Sequence, residues 1–416
     1  MPDQRKRPQY KTEDLLMAAI SIFLFKRGSR NNADNTGRKG HFNVNYERIF
    51  KCKLPDTDTC NKLLEALDLE YLEVLKRDMV RQLIRKKVFD KFRYNGLHHQ
   101  VAIDGTGLYS FHYEPYPGCP KKTSKNGKVT YTVYALEAKL ICSNGFSVSM
   151  ATEWIRNPES GDYDKQDCEL KAFVRLSEKI KKLYPRMPIL LLADGLYPNN
   201  TGFDICKKYA WPFIFTFKDG NLKSVWEEVN LLKPISQNNQ IQWFNMIGGW
   251  MENHTYFFFN NLRYGKHNLH LVEAHITKTK KDTKTDETVI ETEKFVHISD
   301  IPINKDNCRQ ISQAGRLRWK IENEGFNTQK NGGYALSHKY SRTSHVASCN
   351  YYQCLQIAHM IDQMAMLSKS IKEMYFKDDK ESLKSLKEFG MAILLVHELS
   401  VSKVIQLLES VGQLRY

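Results

Sequence analysis

The chain is short of three things, and each shortage closes off a class of protein. Cysteine forms no framework: nine are scattered through 416 residues without a C-x-x-C pair, so neither a zinc knuckle nor a disulfide scaffold is indicated. Cys52 and Cys60 with His98 and His99 are spaced like no common zinc module. Long apolar runs are also missing. The longest, residues 15–25, is too short to cross a bilayer, and no signal-peptide cleavage pattern follows the basic start. Acid is the third deficit: 47 Asp+Glu face 62 Lys+Arg, for a net charge of +15. A polyanion is the natural partner of such a chain, although a basic protein without one has the same balance.

What is present changes character along the chain. Residues 1–98 read as a helical, basic domain. Leu15, Leu16, Ala19, Ile20 and Phe23 recur at helical spacing, as do Leu63, Leu64, Leu67, Leu72, Leu75, Met79 and Leu83. Between them residues 28–40, rich in glycine and asparagine, read as a polar loop. The run Arg85, Lys86 and Lys87, followed by Phe89, Phe92 and Tyr94, mixes cations with rings, as a phosphate-neutralising face would. A solvated helix face over ordinary core aromatics has the same composition.

From residue 99 the period shortens to two. Residues 101–110, 130–142 and 146–155 predict three successive strands, 166–183 a helix, 189–193 a buried strand and 213–217 another. This stretch, 99–232, reads as the first part of an α/β core. Residues 233–302 predict a β-rich insertion with strands at 241–247, 255–260, 270–277 and 289–298, and 278–287 form a charged turn. Residues 303–344 return to the core through a helix, and 345–416 read as a C-terminal helical region.

Two acids stand where apolar strands end. Asp104 follows Val101 to Ile103 and projects from the face opposite those two, while Asp194 follows the run 189–193. Ligands of parallel α/β sheets gather at such carboxyl ends, though Asp-Gly is also a common turn. A third acid comes from the segment 318–330, where Arg318, Trp319, Lys320, Ile321 and Glu322 precede Glu324 and Lys330. On a helix Arg318 and Glu322 share a face beside the stripe of Leu317 and Ile321, which Glu324 borders on the other side, so either glutamate could reach the sheet.

The order strand-Asp, strand-Asp, helix-Glu, with Arg-Trp-x-Ile-Glu around the last, resembles the DDE transposases of bacterial insertion sequences. The resemblance covers about residues 101–340, and the segment 318–330 is its most specific part. It implies an RNase H-like mixed sheet flanked by helices, with the β-rich insertion before the last catalytic helix. It also implies that Asp104, Asp194 and Glu322 are catalytic and hold two Mg²⁺ ions, for which Mn²⁺ substitutes, with Asp104 bridging both. Arg318 and Lys330 would grip phosphates, and Trp250 in the insertion would stack on an extruded base. The sequence departs from the family pattern twice, with Gly315 in place of a tyrosine and Lys330 eight rather than seven residues after Glu322. The function implied is binding of terminal inverted repeats in double-stranded DNA, cleavage and joining of 3′-OH ends, by a homodimer in the bacterial cytoplasm near the nucleoid. A nuclease of the same fold that cuts without joining, and a catalytically silent DNA-binding protein, are the alternatives.

Overall fold

A computed structural model describes residues 8–158, 165–236, 238–281, 288–374, 383–396 and 402. Arg5, Lys6 and Arg7 of the basic start, residues 282–287 of the charged turn and most of the stretch beyond 396 lie outside them. The helices are α1 (Thr12–Leu24), α2 (Arg30–Gly37), α3 (Phe42–Phe50), α4 (Thr57–Ala66), α5 (Leu69–Arg85), α6 (Glu169–Leu183), α7 (Asn200–Tyr209), α8 (Lys223–Leu232), α9 (Cys308–Arg316), α10 (Thr328–Asn331), α11 (His345–Ala365), α12 (Lys369–Met374) and α13 (Leu383–Val396). The strands are β1 (His99–Phe111), β2 (Lys121–Thr123), β3 (Val129–Ile141), β4 (Ser147–Ile155), β5 (Ile189–Ala193), β6 (Phe213–Thr216), β7 (Gln240–Ile247), β8 (Trp250–Tyr264), β9 (His267–Lys281) and β10 (Thr288–Ser299).

The architecture is α/β, with one large mixed sheet flanked by helices. β3 lies antiparallel between β1 and β4, while β1, β5 and β6 run parallel to one another in that order. Parallel neighbours need crossovers, and α6 and α7 supply them. The segment read as an insertion does not stand apart. β10 pairs antiparallel with β6, and β9, β8 and β7 follow outward, so the four strands extend the same sheet.

Strand alternation sorts the side chains into two cores. Val101, Ile103, Leu191 and Ala193 enter the core beneath α6 and α7, whereas Ala102, Leu190 and Leu192 enter the one shared with α1, α4, α9 and α11. Leu15, Leu64, Leu108, Ile311 and Leu355 belong to that second core together, so the N-terminal helices bury themselves against the rest of the chain.

One stretch read as a loop is helical. Residues 30–37 form α2 because Ser29 caps it, accepting from Asn32 N at 3.2 Å, and because Asp34 accepts from both the backbone and the hydroxyl of Thr57 at 2.8 and 2.7 Å. The tertiary contacts outweigh the weak helix propensity of asparagine and glycine.

Candidate active site

Asp104 and Asp194 share the parity of Ala102 and Leu192, so both point to the sheet face on which α9 and its continuation pack. Pairing between β1 and β5 ends at Ala102 and Leu192. The two aspartates therefore lie just past the last shared rung, on adjacent parallel strands.

The third acid rides on an altered helix. After α9 the chain does not continue as a regular α-helix: residues Ile321–Asn327 form a π-helical turn that runs into α10. Ile321 and Phe326 show why. Five residues apart, they would point roughly 140° from each other on an α-helix, yet both are buried in one core. The wider i→i+5 turn brings them to the same side. Gly325 permits the close approach, since a Cβ there would stand 2.9 Å from Ser147 Oγ and 3.3 Å from Lys139 Nζ. The simple helical faces inferred from sequence spacing do not hold here.

Glu322 and Glu324 consequently separate. Glu322 is exposed and lines a cavity of about 310 Å³ with Asp104, Asp194, Arg318, Lys218 and Lys330. Glu324 is not among the lining residues and pairs with Lys320 at 2.6 Å. Three cations thus face three carboxylates drawn from distant parts of the chain.

Arg318 is the cation paired with Asp104. Its Nη1 lies 3.1 Å from Asp104 Oδ2, its side chain is 7% exposed, and its guanidinium sits 4.7 Å from the Trp319 ring centre. Burial raises the Asp104 carboxyl from 3.8 to about 6; Arg318 and the Gly105 N–H pull it down, and Asp194 and Glu322 push it up. Asp194 has Lys218 at 3.7 Å.

Oxygen donors of this kind suit Mg²⁺, which keeps waters and needs only a few carboxylates. By chemistry alone, three carboxylate side chains are the right donor type for such an ion. As the side chains stand, however, Asp104 is turned to Arg318, and among the described residues no cluster of three or more His, Cys, Asp or Glu is gathered to hold a metal.

The remaining sequence-derived residues lie elsewhere. Arg85, Lys86 and Lys87 are exposed at the end of α5 and beyond, and none lines the cavity. The rings beside them belong to the protein: Phe89 is in the core, and Phe92 packs against it. Trp250 opens β8 opposite Ile247, half-buried, with Lys280 Nζ 5.8 Å from its ring centre. It does not line the cavity. The aromatics that do are Trp319, half-exposed beside Arg318, and the buried Phe326.

Gly315, which breaks the family pattern, has a steric cause: a Cβ there would stand 2.3 Å from Cδ2 of the buried His297 ring. No tyrosine fits that position. Burial, reinforced by Arg316 and Arg318, lowers the His297 pKa to about 3 and keeps the ring neutral.

No family model matches the chain, and no curated protein matches it. Among solved structures, an S-adenosylmethionine-dependent methyltransferase from Clostridium acetobutylicum is 12% identical, with a TM-score of 0.12, over 36% of this chain and 61% of that one. So slight a likeness carries no argument about fold or activity.

Two residues near the site escaped sequence reasoning. Lys218 follows the apolar strand β6 as the aspartates follow theirs, a signal that was present. Glu169 opens α6, and its carboxyl is raised above its ordinary value by burial and then by Asp104 and Asp194, with Tyr197 opposing. Nothing local marks it, because its place beside Gly105 is set by the packing of α6 on β3 and β4.

Proposed function

We propose that the chain is a DDE transposase of the bacterial insertion-sequence type, which binds the ends of a mobile element as a homodimer, cleaves double-stranded DNA and joins the 3′-OH ends to a target. The carrying observation is the meeting of Asp104, Asp194 and Glu322 around one cavity, with Arg318, Lys218 and Lys330 beside them. The strand succession supports an RNase H-like core: three antiparallel strands, then helix, strand, helix, strand, with the two aspartates on the central parallel pair.

In this reading Asp104, Asp194 and Glu322 are the residues that would hold two Mg²⁺ ions, with Mn²⁺ substituting. Such ions supply a nucleophilic hydroxide or 3′-OH and stabilise the leaving oxygen of an in-line displacement. The protein's own part is positional. Lys218 and Lys330, which both line the cavity, attract a phosphate, and Arg318 can take one bidentately once it parts from Asp104. Trp319 offers a flat apolar face at the cavity for a sugar or base. Trp250, at the outer end of the sheet, is the candidate for stacking on an extruded base.

Pre-cut and uncut element ends incubated with Mg²⁺ test the reading. Glu322→Gln should abolish cleavage and joining while end binding persists, and Glu324→Gln should be mild. Loss of activity in Glu324→Gln with Glu322→Gln spared would sink the assignment of the third acid, and cleavage without joining would point to a nuclease.

A further inference from the structure

We propose that β7, the outermost strand of the sheet, is a self-association edge: it pairs antiparallel with β7 of a second copy of the chain and closes a two-fold dimer. The inference stands without the function proposed above, because such pairing needs no DNA. β7 hydrogen-bonds to β8 alone and ends the run of strands, so among the described residues its other edge is open. Which groups face outward follows from the hairpin. Gly248 and Gly249, at φ +57° and +81°, make a two-residue turn between Ile247 and Trp250, which flank it as a hydrogen-bonded pair. Alternation then turns the backbone of Met246, Phe244 and Gln242 away from β8. The Met246 N–H donates to the side chain of its own neighbour, Asn245 Oδ1 at 3.0 Å, a makeshift partner for a donor with no strand beside it.

Charge, proline, a bulge and short length are the usual means of keeping open edges apart, and β7 has none of them. Between Lys233 and Glu252 the sequence carries no ionisable residue, in a chain of which 26% is charged, and the eight residues of β7 include no proline and pair with β8 without a register shift. Trp243, Phe244, Met246 and Ile247 are all exposed, Phe244 and Met246 at 65% and 67%. Register extends the patch. Met246 lies opposite Met251, Met251 opposite Thr279 and Thr279 opposite Ile290, so three exposed apolar side chains share one row on one face. Counting about 200 Å² for each whole residue, these six side chains expose roughly 700 Å², close to the ~800 Å² per partner of a stable interface. A patch of that size marks an interaction surface.

A second copy is the occupant that fits. Each copy carries a net charge of +15, and a stretch without charge is where two of them can meet with least repulsion. DNA is disfavoured there, since the strand offers no cation to a phosphate. A two-fold axis through Asn245 sets Phe244 opposite Met246 of the second copy and Trp243 opposite Ile247 of the second copy, apolar cross-strand pairs on both faces. Asn245 then faces its own counterpart at a non-hydrogen-bonded position, with Cα atoms about 4.5 Å apart. The pairing uses both edges, so assembly stops at a dimer.

The test is sedimentation of the full chain without DNA or metal at micromolar concentrations. Wild-type protein should form a dimer that dissociates on dilution. Phe244→Lys combined with Met246→Lys should weaken dimerisation at least about 30-fold, as loss of central anchors does, and leave the circular dichroism of the monomer unchanged because both side chains are exposed. Asn245→Cys, in a Cys168→Ser background that removes an exposed native thiol, should lock the dimer as a disulfide on mild oxidation. A monomeric wild type would overturn the inference and leave the edge to a strand supplied by another protein. A dimer insensitive to the lysine pair, or one that Asn245→Cys does not lock, would place the interface elsewhere and overturn it too, and filaments would refute the two-fold. Should the lysine pair fail to fold, the cysteine cross-link decides. A dimer locked at Asn245 in a protein that cleaves no DNA would uphold this inference and count only against the proposed function.

Discussion

Replacing Asp104 by asparagine should stabilise the metal-free protein at neutral and alkaline pH while destroying its proposed activity. Asp104 has its carboxyl raised from 3.8 to about 6, chiefly by burial, with Asp194 and Glu322 adding to the shift against Arg318. Because the folded value lies above the unfolded one, the folded state holds the proton more tightly. The stability associated with that proton is fully present below pH 3.8 and is lost as pH rises through about 6. A displacement of this size amounts to about 3 kcal/mol above pH 7. That figure is an upper bound, since the Asp104 side chain is 20% exposed and solvent screens part of the interaction. Asparagine mimics the protonated carboxyl and can still accept from Arg318. Urea unfolding of both proteins at pH 4 and pH 8 in EDTA should show little difference at the lower pH and a more stable mutant at the higher. Equal effects at the two pH values would refute the electrostatic account. A mutant less stable at pH 8 would show that the ion pair with Arg318, rather than burial and like charge, controls Asp104.

Two further outcomes follow from the outer surfaces. Charge reversal at Arg85, Lys86 and Lys87, exposed after the last turn of α5, should weaken DNA binding and flatten its dependence on salt by about 0.9 in log–log slope per lost phosphate contact. An unchanged slope in a filter-binding titration would return this segment to the role of a solvated helix end. Trp250→Ala should lower the melting free energy by no more than about 1 kcal/mol, because the ring is half-buried and its identified partner is Lys280. If the ring stacks on an extruded base, nicked intermediates should accumulate on a denaturing gel; loss of stability and nicking together would make Trp250 a packing residue.

The strands were legible because their chemistry is local. Residues 189–193 are buried on both faces and read as one apolar run, and Val101 and Ile103 alternate with Ala102 and Asp104. The expected cores of β8 and β9 were right in place but short in length, since their outer halves carry Glu252, His254, Lys278 and Lys280, which no hydrophobic period would select. Two acids at strand ends could be read for the same reason. The π-turn could not, because the pattern of Ile321 and Phe326 becomes meaningful only when both are known to face one core. Glu169, Lys218 and Trp319 acquire their significance from elements distant in sequence, and α2 exists because Asp34 meets Thr57. Contacts of this kind leave no trace in spacing.

The polar core behind the candidate site bears on when, during synthesis, that site can be braced. Gln329, one residue before Lys330, exchanges amide hydrogen bonds with Gln356 at 2.8 and 3.0 Å and reaches His359 at 2.9 Å, while Lys139 donates to the same Gln356 at 3.1 Å. Nearby, Lys76 donates to Ser149 and Thr152 and pairs with Glu73, and Glu137 accepts from Tyr352. These groups are buried, and one left without its partners is strongly unfavourable. Every acid and base of the proposed chemistry has been synthesised by residue 330, but the partners of Gln329 and Lys139 described above, and the Tyr352 hydroxyl that donates to Glu137, arrive only with α11, at residues 345–365. A nascent or prematurely terminated chain that ends before α11 therefore carries Asp104, Asp194 and Glu322 without the buried partners that brace the elements behind them, so the proposed activity would be acquired only when nearly all of the chain has been made.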